Sequence, residues 1–448
     1  MVLEDLAERA GVAPEQIEEW ERLGLLPRSD DGSPAPDALE RARLLRYATE
    51  RGIRAEDIAK LTDRTGDVLA RYVELLGGPR GPSYSLAEAA RLAGVEETVA
   101  RRLRIATGAS ADGELFEDDV ESLRRAAVAL RSGFPADALV QVGRVWGDAL
   151  SRVADAESRL FHFYVHERLR AEGLSDKELV EATNAISDDL LGLIEPQILY
   201  FHRKGWERAL REDLLMHLAA DVAPPGGPVG QMSIAVLFID LVGFTPLTEA
   251  MGDSAAAEVL DRFSELVRDT ASRCDGRVVK QIGDEFMLVF PHAPTGLACG
   301  LEIADRAAAE LEFPALRIGA HAGPALYREA DYHGTTVITA SRVVEAAERG
   351  EFVATEQMRR VASEIDDVRW TPLGRRRLKG LREPVELYAV RRDGAQRRDR
   401  VVDPVCEMAI DPAAGDLHHS WRGREYHFCS PRCRDLFVAA PGHYTTAA

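Results

Sequence analysis

The chain has 448 residues, too many for one ordinary domain and enough for three or four. Apolar residues make up 46% and the net charge is −19, so folded cores are expected, and coating of nucleic acid or anionic lipid by the whole chain is excluded. No run of about 18 apolar residues occurs, which argues against a membrane span.

The start, "MVLEDLAERAG", is acidic and amphipathic and lacks a signal peptide's basic head and apolar middle, so a cytoplasmic protein is expected. Residues 1–75 read as short helices. "LEDLAERAGVAPEQIEEWERLGLLP" predicts a helix, a turn at Gly11 and a second helix with Ile17, Trp20 and Leu23 on one face. Its "GV" turn and "LGLLP" exit resemble the MerR family of regulators, in which a recognition helix enters the major groove. Here that helix, "PEQIEEWERLG", holds four glutamates and one arginine, and residues 1–63 hold 15 acids against 9 bases. Phosphate contacts supply most DNA affinity, so such a surface argues against DNA binding and for a protein-interaction module.

Gly/Pro-rich breaks at 76–83 and 223–230, and the basic run 391–400, read as linkers. Between the first two, residues 84–222 are expected to be helical. "YSLAEAARLAGVEETVARRLRIATG" repeats the helix–turn–helix pattern, and "FEDDVESLRRAAVAL" follows with an acidic first turn. A long amphipathic helix covers "VGRVWGDALSRVADAESRLFHFYVHERLRAEG", and "LREDLLMHLA" runs to the linker. The pattern and order resemble the regulatory domain of certain actinobacterial adenylate cyclases. His162 and His166 stand one turn apart, the spacing of a pH sensor or metal pair as well as of ordinary hydrogen-bonded histidines, and no site is assigned there.

Residues 230–392 carry the chemistry. "SIAVLFIDLVGFT" opens as a strand buried on both faces and ends on Asp240. Thr245 and Pro246 predict a helix start, whose free N–H groups around Gly243, Phe244 and Thr245 favour phosphate. An amphipathic helix near 254–273 follows, with Val259, Leu260, Phe263, Leu266 and Val267 on one side. "RVVKQIGDEFMLVF" reads as two strands joined at Gly283-Asp284, which puts a second carboxylate on a hairpin tip. A helix over 295–311, the strand "ALRIGAHAG" and a helix after Gly334 complete a βαββαβ order, an α+β ferredoxin-like core.

"FIDLVGFT", "KQIGDEF" and "DYHGTTVITASR", in this order and spacing, resemble the three characteristic segments of the class III adenylate/guanylate cyclases. The resemblance implies that Asp240 and Asp284 hold two Mg²⁺ or Mn²⁺ ions, which activate the ribose 3′-hydroxyl and neutralise the triphosphate. It implies that Lys280 and Asp331 read adenine, so that ATP is preferred, and that Arg342 stabilises charge at the α-phosphate. It also implies a site formed between two subunits of a homodimer, each supplying part of it. One position departs from the family. Ile338 stands where the family has an asparagine that orients the ribose, and Thr339 lies about 100° further round the helix. A missing donor of this kind typically lowers rate on the order of 10²–10³-fold, so slow turnover is expected.

The last segment, 401–446, carries Cys406, Cys429 and Cys433. "VVDPVCEMAIDP…WRGREYHFCSPRCRDLFVAAPGHY" resembles the YHS domain, with Tyr426, His427 and Ser430 around Cys429. Soft thiolates select zinc, copper(I) or similar ions, and a fold this small commonly needs such a staple. His427 and Met408 are the candidates for a fourth ligand.

The resulting expectation is a multidomain protein: a helical N-terminal half, a cyclase catalytic domain and a small α+β metal-binding end. Two rival functions stay open. One is a silent ATP-binding pseudocyclase that signals by shape; the other is a MerR-like transcription regulator with a cyclase-like sensor.

Overall fold

The computed structural model describes residues 3–75, 78, 81–220, 231–394, 401–411 and 417–445. The linker expected over 223–230 lies outside the described residues, as do 76, 77, 79 and 80 of the first break and 395–400 of the last. The chain forms two compact units, Met1–Pro225 and Gly226–Ala448.

The first unit is helical. Helices Leu3–Ala10, Pro14–Arg22, Ala38–Thr49, Ala55–Thr65 and Val68–Leu75 pack around Leu6, Ile17, Trp20, Leu25 and Leu45. Gly11 takes the turn at φ +70, and the space a Cβ would need is filled by the Arg46 guanidinium, which donates to the Ala10 carbonyl at 2.8 Å. Glu15 and Glu18 face solvent on the second helix. A separate core of Leu86, Ala90, Leu115, Val120 and Leu123 joins helices Leu86–Ala93, Glu97–Ala106 and Glu117–Arg131. Ser85 caps the first of these through the Glu88 N–H, while Glu88 accepts from the Ser85 N–H at 2.8 Å, a reciprocal cap.

Two long helices follow, Ala136–Phe161 and Asp176–Ala220, the second continuous through Pro196. Between them a π-helical turn, His162–His166, stacks the two histidine rings with centroids 5.4 Å apart. Large apolar side chains on these helices, including Trp146, Phe163, Phe201 and Trp206, stay exposed. No helix among the described residues is long and apolar enough to cross a membrane.

The second unit is built on a mixed sheet. The sheet's strands are β1 (Gln231–Leu241), β2 (Arg277–Ile282), β3 (Glu285–Phe290), β5 (Leu316–Arg328), β6 (Asp331–His333), β7 (Phe352–Thr355), β8 (Val368–Arg376) and β9 (Val385–Arg392), with the short β4 (Phe313–Pro314) outside it. The main order is β2-β3-β1-β5-β7-β9-β8, with β6 on β5. The expected ferredoxin-like core is present, and β7 to β9 extend it beyond the predicted order. β9 runs through Arg391 and Arg392, so those two residues of the predicted linker are strand.

β1 is buried on both faces. Leu237 and Ile239 pack with Phe263, Phe286 and Phe290 beneath helices Asp253–Arg273 and Ala293–Ala309. Ile234, Val236 and Phe238 pack with Met287, Ala340 and Val344 beneath helix Thr335–Glu345. That helix lies directly on β5, because a Cβ at Gly319 would sit 2.2 Å from the Val344 backbone nitrogen. The close approach fixes where Ile338 and Arg342 stand.

β10 (Val401–Val402), β11 (Met408–Ile410), β12 (His418–Trp421) and β13 (Arg424–His427), with helix Pro431–Ala439, form the C-terminal module. β11 pairs with β4 of the catalytic segment, so one three-stranded sheet spans both.

His321 on β5 is 7% exposed, and its Nδ1 lies 2.8 Å from Thr355 Oγ1. Burial pushes its pKa down to about 4. Between pH 6.5 and 4 the unfolded chain therefore binds a proton that the native state refuses, and stability falls as pH falls through that window. The full effect is roughly 3 kcal/mol. Urea unfolding of the second unit at pH 7 and pH 4.5 should show a larger acid loss for the wild-type chain than for His321→Gln. Equal losses would remove His321 as the cause.

Candidate active site

The row of residues across the sheet at Asp240 defines the site. Asp240 faces Glu285 on β3 and Arg317 on β5 in the antiparallel register. Directly opposed residues share a face, so two carboxylates and a guanidinium stand side by side. Arg317 donates to Asp240 Oδ2 through Nε at 3.1 Å and through Nη2. The Asp240 side chain is 16% exposed. Burial pushes its carboxyl above the usual range, with Arg317 pulling it down and Asp284 adding a smaller push upward. Glu285 is raised too, by burial and then by Asp240 and Asp284.

Gly283, at φ +61, makes the two-residue hairpin that carries Asp284. The Leu241 N–H donates to the Asp284 carbonyl at 3.3 Å, which ties that hairpin tip to the end of β1. Asp240, Asp284 and Glu285 thus form an acidic group opposed by one arginine, an arrangement that favours divalent cations with oxygen ligands. Neither Glu285 nor Arg317 was singled out from sequence. The available signal was a lone arginine in the apolar run "ALRIGAHAG" and an acid following Gly283-Asp284.

The turn after β1 differs in one detail from expectation. Helix Phe244–Met251 starts two residues earlier, with Gly243 as its N-cap at φ +74, so Thr245 lies inside the first turn and its hydroxyl does not cap. Proline is tolerated throughout a first turn because its missing N–H has no helical partner there. Gly243, Phe244 and Thr245 remain at the helix N-terminus, where backbone N–H groups point outward and favour an anion.

Lys280 and Asp331 come together as an ion pair, Nζ to Oδ2 2.5 Å, with side chains about one third exposed. The other Asp331 oxygen accepts the Tyr332 N–H at 2.8 Å. Helix Thr335–Glu345 carries Ile338, 50% exposed, and Arg342, whose Nη1 pairs with Glu345. Thr339 is 5% exposed and points into the protein. It cannot supply the donor that Ile338 lacks.

In the C-terminal module Asp403, Cys406, Cys429 and Cys433 converge, with ligand atoms all within 4.8 Å of one another. The sulfurs of Cys406 and Cys429 are 3.4 Å apart, and those of Cys429 and Cys433 are 3.7 Å apart. A tetrahedral zinc site with bonds near 2.3 Å has sulfur edges of about 3.8 Å, so the spacing fits a metal and is too long for a disulfide. The residues present fit a soft cation. Hydrogen bonds from Cys406 and Cys429 hold the Cys433 thiol far below the usual range, and Cys406 is pushed up in exchange.

Asp403, fully buried, accepts the N–H groups of Val405 and Cys429, each at 2.8 Å. It takes the place in the cluster that sequence reading gave to His427 or Met408. Met408 is buried in the core, and His427 sits on β13 opposite His418. The signal for Asp403 was its position three residues before Cys406, in the same tight turn.

Comparison with known proteins gives three family matches. The adenylate and guanylate cyclase catalytic domain matches residues 230–392, the adenylate cyclase regulatory domain matches 29–203, and the YHS domain matches 401–448. A pH-sensitive adenylate cyclase of Mycobacterium tuberculosis is 29% identical over 369 residues, covering 80% of this chain and 89% of that protein. An adenylate cyclase of Streptomyces coelicolor is 31% identical over 290 residues, covering 63% of this chain and 72% of that protein. The crystal structure of the adenylyl cyclase CyaB from P. aeruginosa aligns over 37% of this chain and 97% of its own, at 21% identity and a TM-score of 0.34. With a regulatory domain before the catalytic segment and a YHS domain after it, the chain belongs to the class III adenylate/guanylate cyclase family.

Proposed function

We propose that the chain is an adenylate cyclase that converts ATP to 3′,5′-cyclic AMP and diphosphate in a homodimer. The observation that carries the choice of base is the Lys280–Asp331 pair. Its ammonium can donate to a ring nitrogen and its carboxylate can accept the exocyclic amine of adenine, whereas guanine would set a carbonyl against that carboxylate. ATP as substrate and five free cysteines support the cytoplasm as the compartment.

Asp240 and Asp284 would hold the two Mg²⁺ or Mn²⁺ ions, and Glu285 adds negative charge beside them. Two such ions would lower the pKa of the ribose 3′-hydroxyl and spread the triphosphate charge. The backbone N–H groups at Gly243, Phe244 and Thr245 would hold the phosphates, and Arg342 would meet charge developing at the α-phosphate. The 3′-oxygen attacks the α-phosphorus, the bond to the β-phosphate oxygen breaks, and the hydroxyl proton leaves to solvent. Cys406, Cys429, Cys433 and Asp403 would hold zinc, copper(I) or a similar ion.

With Mn²⁺, the full chain should form cyclic AMP, and Asp240→Ala should fall to background. Turnover retained in that variant would overturn the metal assignment. ATP should exceed GTP in kcat/KM by about tenfold or more, with Asp331→Ala narrowing the gap; equal use of GTP would overturn the adenine reading.

The exposed hydrocarbon of Ile338 favours one second reading, a silent nucleotide-binding domain. Ile338→Asn decides between them. A rise in kcat on the order of 10²-fold supports a slowed enzyme, and unchanged kcat supports the silent domain.

A further inference from the structure

The C-terminal module does not hang free of the catalytic segment. Val405, Cys406, Met408, Phe428 and Phe437 share one hydrophobic cluster with Leu247, Phe313 and Leu316. β11 lies on β4, with Met408 opposite Pro314 and Ala409 opposite Phe313. Helix Pro431–Ala439 packs on helix Phe244–Met251, the helix whose N-terminus closes the candidate phosphate turn.

Within this interface one residue reaches the turn itself. Glu407 packs on Gly243, so closely that a Cβ there would lie 2.6 Å from both Glu407 Cβ and Oε2. Arg349, between helix Thr335–Glu345 and β7, holds Glu407 in place. It donates to Oε2 at 2.9 Å and to the Glu407 carbonyl. Glu407 also has φ +59, an uncommon backbone state for a non-glycine residue. That state is maintained by the tight turn 403–408, where the Glu407 N–H donates to the Asp403 carbonyl and the Asp403 N–H to the Met408 carbonyl, each at 2.9 Å.

The same turn supplies two members of the soft-metal cluster, Asp403 and Cys406, the latter adjacent to Glu407. A cation there would lock the turn. A locked turn keeps a carboxylate against Gly243, three residues from Asp240, at a helix N-terminus suited to an anion. Triphosphate and Glu407, a carboxylate already paired with Arg349, then compete for the space beside the Gly243 N–H.

We propose that the C-terminal module is a metal-operated effector of the nucleotide site: a thiophilic d¹⁰ cation bound by Asp403, Cys406, Cys429 and Cys433 holds Glu407 on the Gly243 turn and weakens ATP binding. This rests on the reading of those four residues as a metal site. Linkage is reciprocal, so nucleotide must weaken metal binding by the same factor.

The test uses Cd²⁺ with the full chain, read by the ultraviolet absorption of cadmium–thiolate bonds, which ions at carboxylate sites do not give. Titrations are run with and without an ATP analogue that cannot release diphosphate, in Mg²⁺, on wild type and Glu407→Gln. Chelation of cadmium by the nucleotide acts alike on both proteins. The analogue should weaken Cd²⁺ binding in the wild type by at least about fivefold more than in the variant, and Cd²⁺ should raise the analogue's Kd by a matching factor. A full thiolate band with equal factors in both proteins would overturn the coupling and leave the metal site standing. An absent band would overturn the metal site and the coupling with it.

Discussion

Asp240 stands at the end of a strand that is buried on both faces, and the strands on either side decide what its carboxyl meets. A desolvated carboxylate is expensive unless a counter-charge and hydrogen bonds meet it. Arg317, directly opposite on β5, meets it. Asp284 pushes the Asp240 carboxyl upward, and Asp240 and Asp284 do the same to Glu285, so neighbouring acids make the charged forms costlier. The result is a group of three carboxylates beside one guanidinium.

Further along the same face of the sheet, packing governs. Gly319 lets helix Thr335–Glu345 settle on β5 at a distance no side chain would allow. Once the helix is seated, Thr339 and Val343 are committed to the interior, while Ile338 and Arg342 lie toward the outer face. Ile338 is therefore half exposed, with no packing demand behind it. An apolar side chain half exposed at that point gains little from burial, so core stability does not account for it.

The C-terminal module shows how a small fold manages with too little interior of its own. Below about 60 residues a chain buries a modest share of its surface. This one extends its sheet with β4 and adds Phe428 and Phe437 to the core beneath the catalytic sheet. A cysteine-rich cluster supplies a second means of holding it together. Because Leu247 and Gly243 lie in the shared interface, the solution to a stability problem also links the module to the turn after β1.

The linear sequence carried a great deal. Apolar runs and Gly283-Asp284 were enough to locate β1, the hairpin and the helices flanking them, since buried strands and two-residue turns have local requirements. The three cysteines were legible because soft-ligand chemistry depends on residue type. Tertiary structure alone decided the rest. Glu285 and Arg317 become neighbours of Asp240 only through strand register, which no local pattern encodes, for Arg317 across 77 residues. Gly243, rather than Thr245, caps its helix because positive φ at that one position was available to glycine. Asp403 joins the thiols because a six-residue turn folds back on itself, and Glu407 meets Gly243 because two distant segments share one core. Residue identity set what chemistry was possible, and the packing of distant strands set which groups stand close enough to perform it.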